Sequence, residues 1–533
     1  MSSPAPKSPE QSEKSKKYDR QLRLWGDHGQ KVLENAKICL INATALGTEI
    51  LKSLALPGIG SFTIVDGEKI TDEDIGTNFF IESDSIGASR AQVTTQNLLE
   101  LNPDVRGDYI DETVDHVLAH SQDFFDTFSV VIATSLPEKV LMPLSRHLWE
   151  KNVPLIVCRS VGFLGYIRCQ IKEHTIIEAH PDNENADLRL DNPWPALQEH
   201  LEKFDIPKLD NKERSHVPAV IILYYYLNQF KAEHGHLPKT RAEKEEIKRK
   251  IIESPHPDEH GIKHLEENFK EAIRYINTCV NPVKIPSNVQ AILNDDSCIN
   301  LHQTSSSFWV LCAALKEFVE SENSLPLKGS LPDMAADTNS YVALQQLYQK
   351  QAQNQSEIIY RRALEIARTL GLSQESITET EAKLFCKYAS QLNVIRGSCI
   401  ADEYQKTGLD FTSYLEDPDS LLFHYITLRG LERFISEFNS YPGQLDDHVE
   451  PDLLKLKSII GKLLAEWGCS QIIRDERVHE VCRYGGAELH SISAILGGCA
   501  AQEAIKLITS QYKPLNNTFI YDGITSTSAS FTL

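Results

Sequence analysis

Between Lys37 and Asp66 the chain places a short apolar run, a stretch with helical spacing and a second apolar run in succession. Ile38 to Asn42 is continuous and mostly apolar, which predicts a strand buried on both faces. Gly47 opens a segment whose apolar residues Ile50, Leu51 and Leu54 share one helix face, and Pro57-Gly58 stops it. Ser61 to Val65 predicts a second strand ending in Asp66. A helix is expected over Gly87 to Leu101, with Ala91, Leu98 and Leu99 among its apolar positions. Ser129 to Ala133, Leu155 to Cys158 and Gly165 to Ile171 predict further strands. The alternation implies a doubly wound, Rossmann-like α/β sheet.

After Ile171 the pattern changes. Residues 177–197 are polar and punctuated by proline, as in a connector or ordered loop. From 213 to about 470 the spacing is helical. Lys239 to Ile252 is strongly charged, with apolar residues only at Ala242, Ile247, Ile251 and Ile252, and Ser306 to Val319, Tyr341 to Leu370 and Leu421 to Phe438 follow. Their charged positions read as solvated helix surface. His490 to Thr509 is a helix whose Gly497, Gly498, Ala500 and Ala501 would admit a close neighbouring backbone, and Thr518 to Tyr521 predicts a last strand. The expected organisation is a flexible tail over 1–17, an α/β domain over 18–171, a mostly helical insertion over 172–480, and the rest of the α/β domain over 481–533.

Composition narrows the function classes. With 54 basic and 75 acidic residues the net charge is −21, which argues against a nucleic-acid partner. No apolar run reaches the roughly 20 residues that span a bilayer; Val217 to Leu227 is too short and carries three tyrosines. The first 17 residues are rich in Ser, Pro, Lys and Glu, without the apolar core of a signal peptide. Eleven cysteines without a C-x-x-C pair fit reduced thiols, as expected in the cytoplasm or the nucleus, and remove the simple zinc reading. Cys39, Cys158 and Cys312 lie in apolar runs, where packing is the ordinary role.

The strand–helix–strand unit is that of a nucleotide site, with Asp66 at the distance of a ribose-binding acid. Yet its turn reads Asn42-Ala43-Thr44-Ala45-Leu46-Gly47. The first two glycines of G-x-G-x-x-G, which permit the tight turn and close approach of pyrophosphate, are replaced by Asn42 and Thr44.

Four passages carry a family resemblance: Tyr18-Asp19-Arg20-Gln21-Leu22-Arg23-Leu24-Trp25-Gly26, the unit from Lys37 to Asp66, Ile86-Gly87 leading to Arg90-Ala91, and the closing GGCAAQEAIKLIT. They resemble the adenylating domains of the enzymes that activate ubiquitin-like proteins. The connector HPDNENADLRLDNPWP and the later Leu331-Pro332-Asp333-Met334-Ala335-Ala336-Asp337 narrow the likeness to the regulatory subunit of a heterodimeric activating enzyme.

The resemblance implies an adenylation fold and a division of labour. Catalytic members carry a glycine-rich loop, an Asn-Arg-Gln-Phe motif, a lysine after it and a magnesium-binding aspartate after the fourth strand. Here Gly76-Thr77-Asn78-Phe79 stands at the motif, with Thr77 in place of the arginine; Arg90 stands at the lysine, and Ser135 nearest the aspartate. The degenerate positions Asn42, Thr44, Thr77 and Ser135 imply that this chain binds no cofactor or metal, and that ATP and magnesium belong to the catalytic partner subunit. No cysteine is followed by threonine as in the family's Pro-Cys-Thr motif; Cys279, Cys298, Cys312, Cys386 and Cys399 fall in the insertion in ordinary contexts. What the resemblance leaves to this chain is Arg20, acting in trans on the partner's ATP, with Arg23 one helical turn along as its competitor. It also implies a share of the groove for the ubiquitin-like modifier, and a contact with the partner through Leu331, Pro332, Asp333 and Met334.

Three other readings remain at this stage. A self-sufficient adenylating enzyme is opposed by Thr77 and Ser135. A nicotinamide-dependent oxidoreductase needs the glycines absent at Asn42 and Thr44. A non-enzymatic adaptor would use the acidic helical region.

Overall fold

A computed structural model describes residues 16–182, 186–255, 257, 264–280, 284–404, 412–469 and 472–533. Of the expected tail only Lys16 and Lys17 fall among them. The chain forms two compact units, Met1–Thr175 with Val394–Leu533, and Ile176–Asn393.

The first unit is built on an eight-stranded sheet: β1 (Lys37–Ile41), β2 (Ser61–Val65), β3 (Arg106–Ile110), β4 (Val130–Thr134), β5 (Leu155–Val161), β6 (Leu164–Gln170), β7 (Thr518–Asp522) and β8 (Thr527–Phe531). Their order across the sheet is β8-β7-β6-β5-β4-β1-β2-β3. The pairs from β3 to β5 are parallel, and those from β5 to β8 antiparallel. The doubly wound expectation holds. Apolar runs do not find β3 and β8 because both are edge strands with largely solvated residues.

Alternation along the central strands divides the core. Ile38 and Leu40 of β1 join Ile132, Ile156 and Cys158 on one face, beneath Leu46, Ile50, Leu98, Leu496 and Ala500. Cys39 and Ile41 join Val131, Ala133 and Val157 on the other face, with Leu141, Leu144, Leu428, Leu431 and Leu463. His490–Thr509 is apolar and long enough to cross a membrane by composition, but Leu496, Ala500 and Ala504 pack in this core. Gly497 is the close approach expected of it: a Cβ there would lie 2.8 Å from Glu49 Cβ, whereas nothing crowds Gly498.

The expected insertion, 172–480, is redrawn by the structure. Helices Leu422–Phe438 and Val449–Glu466 bury their apolar stripes against the sheet, so the chain rejoins the first unit at Val394. Their junction with β5 and β6 contains charge. Buried Glu432 accepts from Arg159 Nε at 3.2 Å and Arg429 Nη1 at 2.6 Å, and from the Tyr166 hydroxyl. Buried Glu403 accepts from Arg168 Nε at 2.9 Å and from the Tyr425 hydroxyl at 3.0 Å.

The unit Ile176–Asn393 is mostly helical. Ala219–His234, Arg241–Glu253 and Glu267–Cys279 enclose Leu223, Leu227, Phe230, Ile247, Ile251, Phe269 and Ile276. Ser307–Glu322 packs on the 33-residue helix Thr338–Leu370. On the charged Arg241–Glu253 helix, Ile247 and Ile251 face inward while Ile252 is exposed, so the remaining face is indeed solvated.

Burial gives the first unit a pH dependence. It pushes the imidazoles of His174 and His424 down to about 4, in His424 with the fields of Arg477 and Arg474 added and Asp522 opposing. Below the ordinary histidine value of 6.5 the unfolded chain takes up protons that these native imidazoles refuse. Stability is therefore lost as pH falls from 6.5 toward about 4, by at most about 1.4 kcal/mol per pH unit for each group. The thermal midpoint should decline through this window, and His424→Gln should decline less steeply. Equal slopes would show that His424 takes up its proton in the native state.

Candidate functional site

The loop after β1 is closed by its own side chains. Asn42 adopts a left-handed backbone (φ 64°), as does Ser135 after β4 (φ 52°). These are conformations that glycine enters freely and asparagine tolerates. Asn42 Nδ2 donates to the Thr134 carbonyl at 2.9 Å, and Thr134 Oγ1 returns a bond to the Asn42 carbonyl at 2.7 Å. Thr44 caps helix Ala45–Ala55, its hydroxyl accepting from Gly47 N at 3.3 Å and lying 3.3 Å from Thr134 Oγ1. Gly47 keeps the third glycine's packing role, since a Cβ there would stand 2.6 Å from the Asn42 carbonyl oxygen. The structure thus brings Asn42, Thr44 and, through its neighbour Thr134, Ser135 to one turn. Ser135 N donates to the Cys158 carbonyl at 3.4 Å.

Asp66 is fully buried and its lone pairs are taken. It accepts from Ala43 N at 2.8 Å, Glu68 N at 2.9 Å, and Arg90 Nε and Nη2 at 2.7 and 3.2 Å. Arg90 Nη1 also reaches Asp74 Oδ1 at 3.1 Å. Burial opposes the guanidinium charge, but Asp66 and then Asp74 more than offset it and raise its pKa. The cation at the family's lysine position is thus spent within the chain, and so is the acid at the ribose position. Thr77 lies apart on the short helix Asp72–Thr77, its hydroxyl bonded to the Glu73 carbonyl at 3.1 Å. Asn78 joins that motif to the loop helix through Thr48 Oγ1 at 3.0 Å. Beside it Phe79 is 72% exposed and stacked on His490 with centroids 3.6 Å apart.

Glu488 has no counterpart in the sequence reading. Its Oε2 accepts from Leu46 N, in the first turn of Ala45–Ala55, at 3.0 Å across 442 positions of chain. The carboxylates around the loop are therefore committed. Asp66 and Asp74 hold Arg90, and Glu488 holds the helix N-terminus. Ser135 and Thr44 offer hydroxyls without charge, which is poor equipment for a triphosphate with magnesium.

Thiol chemistry is equally unprepared. Nine described cysteine side chains are buried and Cys499 is half-buried, while that of Cys279 lies outside the described residues. Burial pushes the thiols of Cys169, Cys386 and Cys482 up to about 12 and that of Cys298 to about 11, away from the reactive thiolate.

Arg20 has the opposite character. Helix Asp19–Leu33 is anchored at a helical repeat. The Tyr18 hydroxyl accepts from Asn102 Nδ2 at 3.0 Å and donates to Asp104 at 3.2 Å. Gln21 Nε2 donates to the Pro57 carbonyl at 2.7 Å, and buried Trp25 donates to Gln30 Oε1 at 3.2 Å. Arg20 stands off this anchored face, exposed, with Leu24, 47% exposed, one turn on. Arg23 pairs with Asp19 at 2.9 Å, whereas Arg20 makes no ion pair or hydrogen bond among the described residues.

The quartet in the second unit divides. Leu331 is turned into the core and Met334 packs against it, so Leu331 is not available as the contact residue expected of it. Pro332 is half-buried and Asp333 is exposed. Tyr275 OH donates to the Asp333 carbonyl at 3.3 Å, and Asp337 caps Thr338–Leu370.

Comparison with known proteins agrees with this geometry. The model of the ThiF family matches residues 18–533. The NEDD8-activating enzyme E1 regulatory subunit of Drosophila melanogaster is 48% identical, over 100% of both chains. That of Xenopus laevis is 46% identical over 98% of this chain and 99% of its own length. The regulatory subunit AXL of Arabidopsis thaliana is 40% identical over 98% and 100%. With an adenylation-type sheet, a self-filled nucleotide loop and these full-length likenesses, the chain belongs to the ThiF family and, within it, to the NEDD8-activating enzyme E1 regulatory subunits.

Proposed function

We propose that this chain is the non-catalytic half of a heterodimer that adenylates a ubiquitin-like modifier of the NEDD8 type, the entry step of neddylation. ATP and magnesium sit on the catalytic subunit, as does the cysteine that receives the modifier. This chain supplies Arg20 in trans, modifier-binding surface and an interface. The observation that carries the reading is the contrast between two arginines: Arg90 is locked onto Asp66 and Asp74, while Arg20 is exposed on a firmly anchored helix. A guanidinium held at a fixed place with its five donors open is suited to phosphate oxygens outside its own chain. The exposed Asp333 and its neighbours Pro332 and Met334 are the proposed contact with the catalytic subunit.

Exchange of pyrophosphate into ATP tests the division of labour. The isolated chain should show no exchange with modifier present, and adding the catalytic subunit should restore it. Robust exchange by the verified monomer would show instead a self-sufficient enzyme.

A further inference from the structure

The chain is acidic, with a net charge of −21, yet its helical unit Ile176–Asn393 carries a groove lined mainly by cations. The groove has a volume of about 370 Å³ and is walled by Lys239, Arg241, Lys244, Glu245, Lys248 and Asn277. That size falls within the roughly 300–1,000 Å³ of ligand pockets. Arg241, Lys244, Glu245 and Lys248 belong to helix Arg241–Glu253, and Asn277 stands on Glu267–Cys279.

The helix keeps its charges apart. At about 3.6 residues per turn, Arg241, Lys244, Glu245 and Lys248 share one face, and Glu243, Glu246 and Lys250 share the opposite one. The acids of that opposite face are committed there. Glu243 Oε2 accepts from Lys239 N at 2.6 Å and Thr240 N at 2.8 Å, capping the helix. Glu246 pairs with His234 at 3.2 Å and Lys250 at 3.4 Å. Of the residues lining the groove only Glu245 is acidic, and it pairs with Lys248 Nζ at 2.7 Å. The Lys248 side chain is 15% exposed, so its charge is poorly shielded by water. The exposed side chains of Lys239 and Arg241 make no ion pair or hydrogen bond among the described residues. Cations gathered in a concavity repel one another, and an anion that enters relieves the repulsion.

We propose that this groove is a docking site for an acidic, extended segment of a partner protein. Spacing selects the ligand. At about 1.5 Å per residue, Lys244 and Lys248 lie about 6 Å apart along the helix, and Arg241 and Lys248 about 10.5 Å. Side chains on one face of an extended chain repeat at about 6.7 Å, so carboxylates at alternate positions meet successive cations. A single phosphate group is too small to reach the whole row. No aromatic side chain lines the groove to stack the bases of a nucleic acid. A long polyanion would also meet the surrounding surface of a chain at −21, whereas a short acidic segment stays within the Debye length of about 8 Å. The site needs neither Arg20 nor the loop after β1, so it stands apart from the adenylation role.

The test uses the full-length chain and a fluorescein-labelled peptide of about eight residues alternating glutamate and serine, long enough to span the row. Fluorescence anisotropy should show saturable binding, absent for the same peptide with glutamine in place of glutamate. Lys244→Gln/Lys248→Gln should weaken it about tenfold, as the loss of two partly shielded charge pairs requires. Arg241→Gln should weaken it about threefold. Since that side chain holds nothing in place, the second variant separates lost docking from altered folding. Lys250→Gln, on the opposite face, should stay within about twofold of wild type. Failure of the glutamate peptide to bind overturns the proposal. So does a Lys250→Gln loss equal to that of the double variant, which would show general attraction and no docking in the groove. Tighter binding of oligothymidylate, lost in the same double variant, would make the ligand a nucleic acid and overturn it as well.

Discussion

Replacing Arg20 by alanine is expected to slow modifier adenylation by the assembled heterodimer about a hundredfold or more, with no loss of assembly. The size follows from what the residue would do. An arginine reaching phosphate from outside the nucleotide-binding subunit acts where charge develops, in a site that excludes water. Exposure of Arg20 and its lack of a partner among the described residues mean that truncation removes nothing that holds helix Asp19–Leu33 in place. Tyr18, Gln21 and Trp25 continue to anchor it. Lysine at position 20 should recover only part of the rate, because an ammonium keeps the charge but not the bidentate fork. Arg23→Ala should stay near wild type, since Arg23 is engaged with Asp19 on the surface. Single-turnover adenylation with purified heterodimers decides it. An unchanged rate for Arg20→Ala would reject the trans role.

The second large effect concerns stability. Glu432→Gln should destabilise the first unit by about 3–5 kcal/mol, lowering its thermal midpoint on the order of 10 °C. Arg159 and Arg429 both direct donors at this carboxylate, and all three side chains are almost wholly excluded from water. Neutralising the shared acceptor leaves two buried cations short of compensation, which costs far more than an exposed pair would. Glu466→Gln is the contrasting case. That carboxylate is 46% exposed and pairs with Arg433, so its loss should cost under about 1 kcal/mol. The double variant Arg429→Leu/Glu432→Leu should recover only part of the Glu432→Gln deficit, because it removes one of the two uncompensated cations and leaves Arg159 buried without its carboxylate. A shift for Glu432→Gln as small as that for Glu466→Gln would show that water reaches the network.

The cluster also explains why the helical region divides where it does. Leu422–Phe438 reads as one more amphipathic helix of the insertion, and nothing local distinguishes it from Ser307–Glu322. Its partners make the difference. Glu432 meets Arg159 of β5 and Tyr166 of β6, more than 260 positions away in sequence.

Much of the fold was legible because it depends on short-range patterning. Buried strands β1, β4 and β5 carry continuous apolar runs, β2 sets Phe62, Ile64 and Val65 among Ser61 and Thr63, and helix His490–Thr509 was bounded correctly. Edge strands β3 and β8 carry no such mark, since half their surroundings are water. By itself the sequence determined that the loop had lost the glycines a pyrophosphate needs, because Asn42 and Thr44 can be read where they stand. It also showed Arg20 within its motif. Only the tertiary structure decided where the remaining charges went. It placed Arg90 on Asp66, turned Leu331 into the core of its own unit, and left Arg20 in solvent. It carried Glu488 across 442 residues to the helix N-terminus beside that loop. Hydrogen bonds and ion pairs act over a few ångströms of space whatever the distance along the chain, so the contents of the cradle were settled by folding.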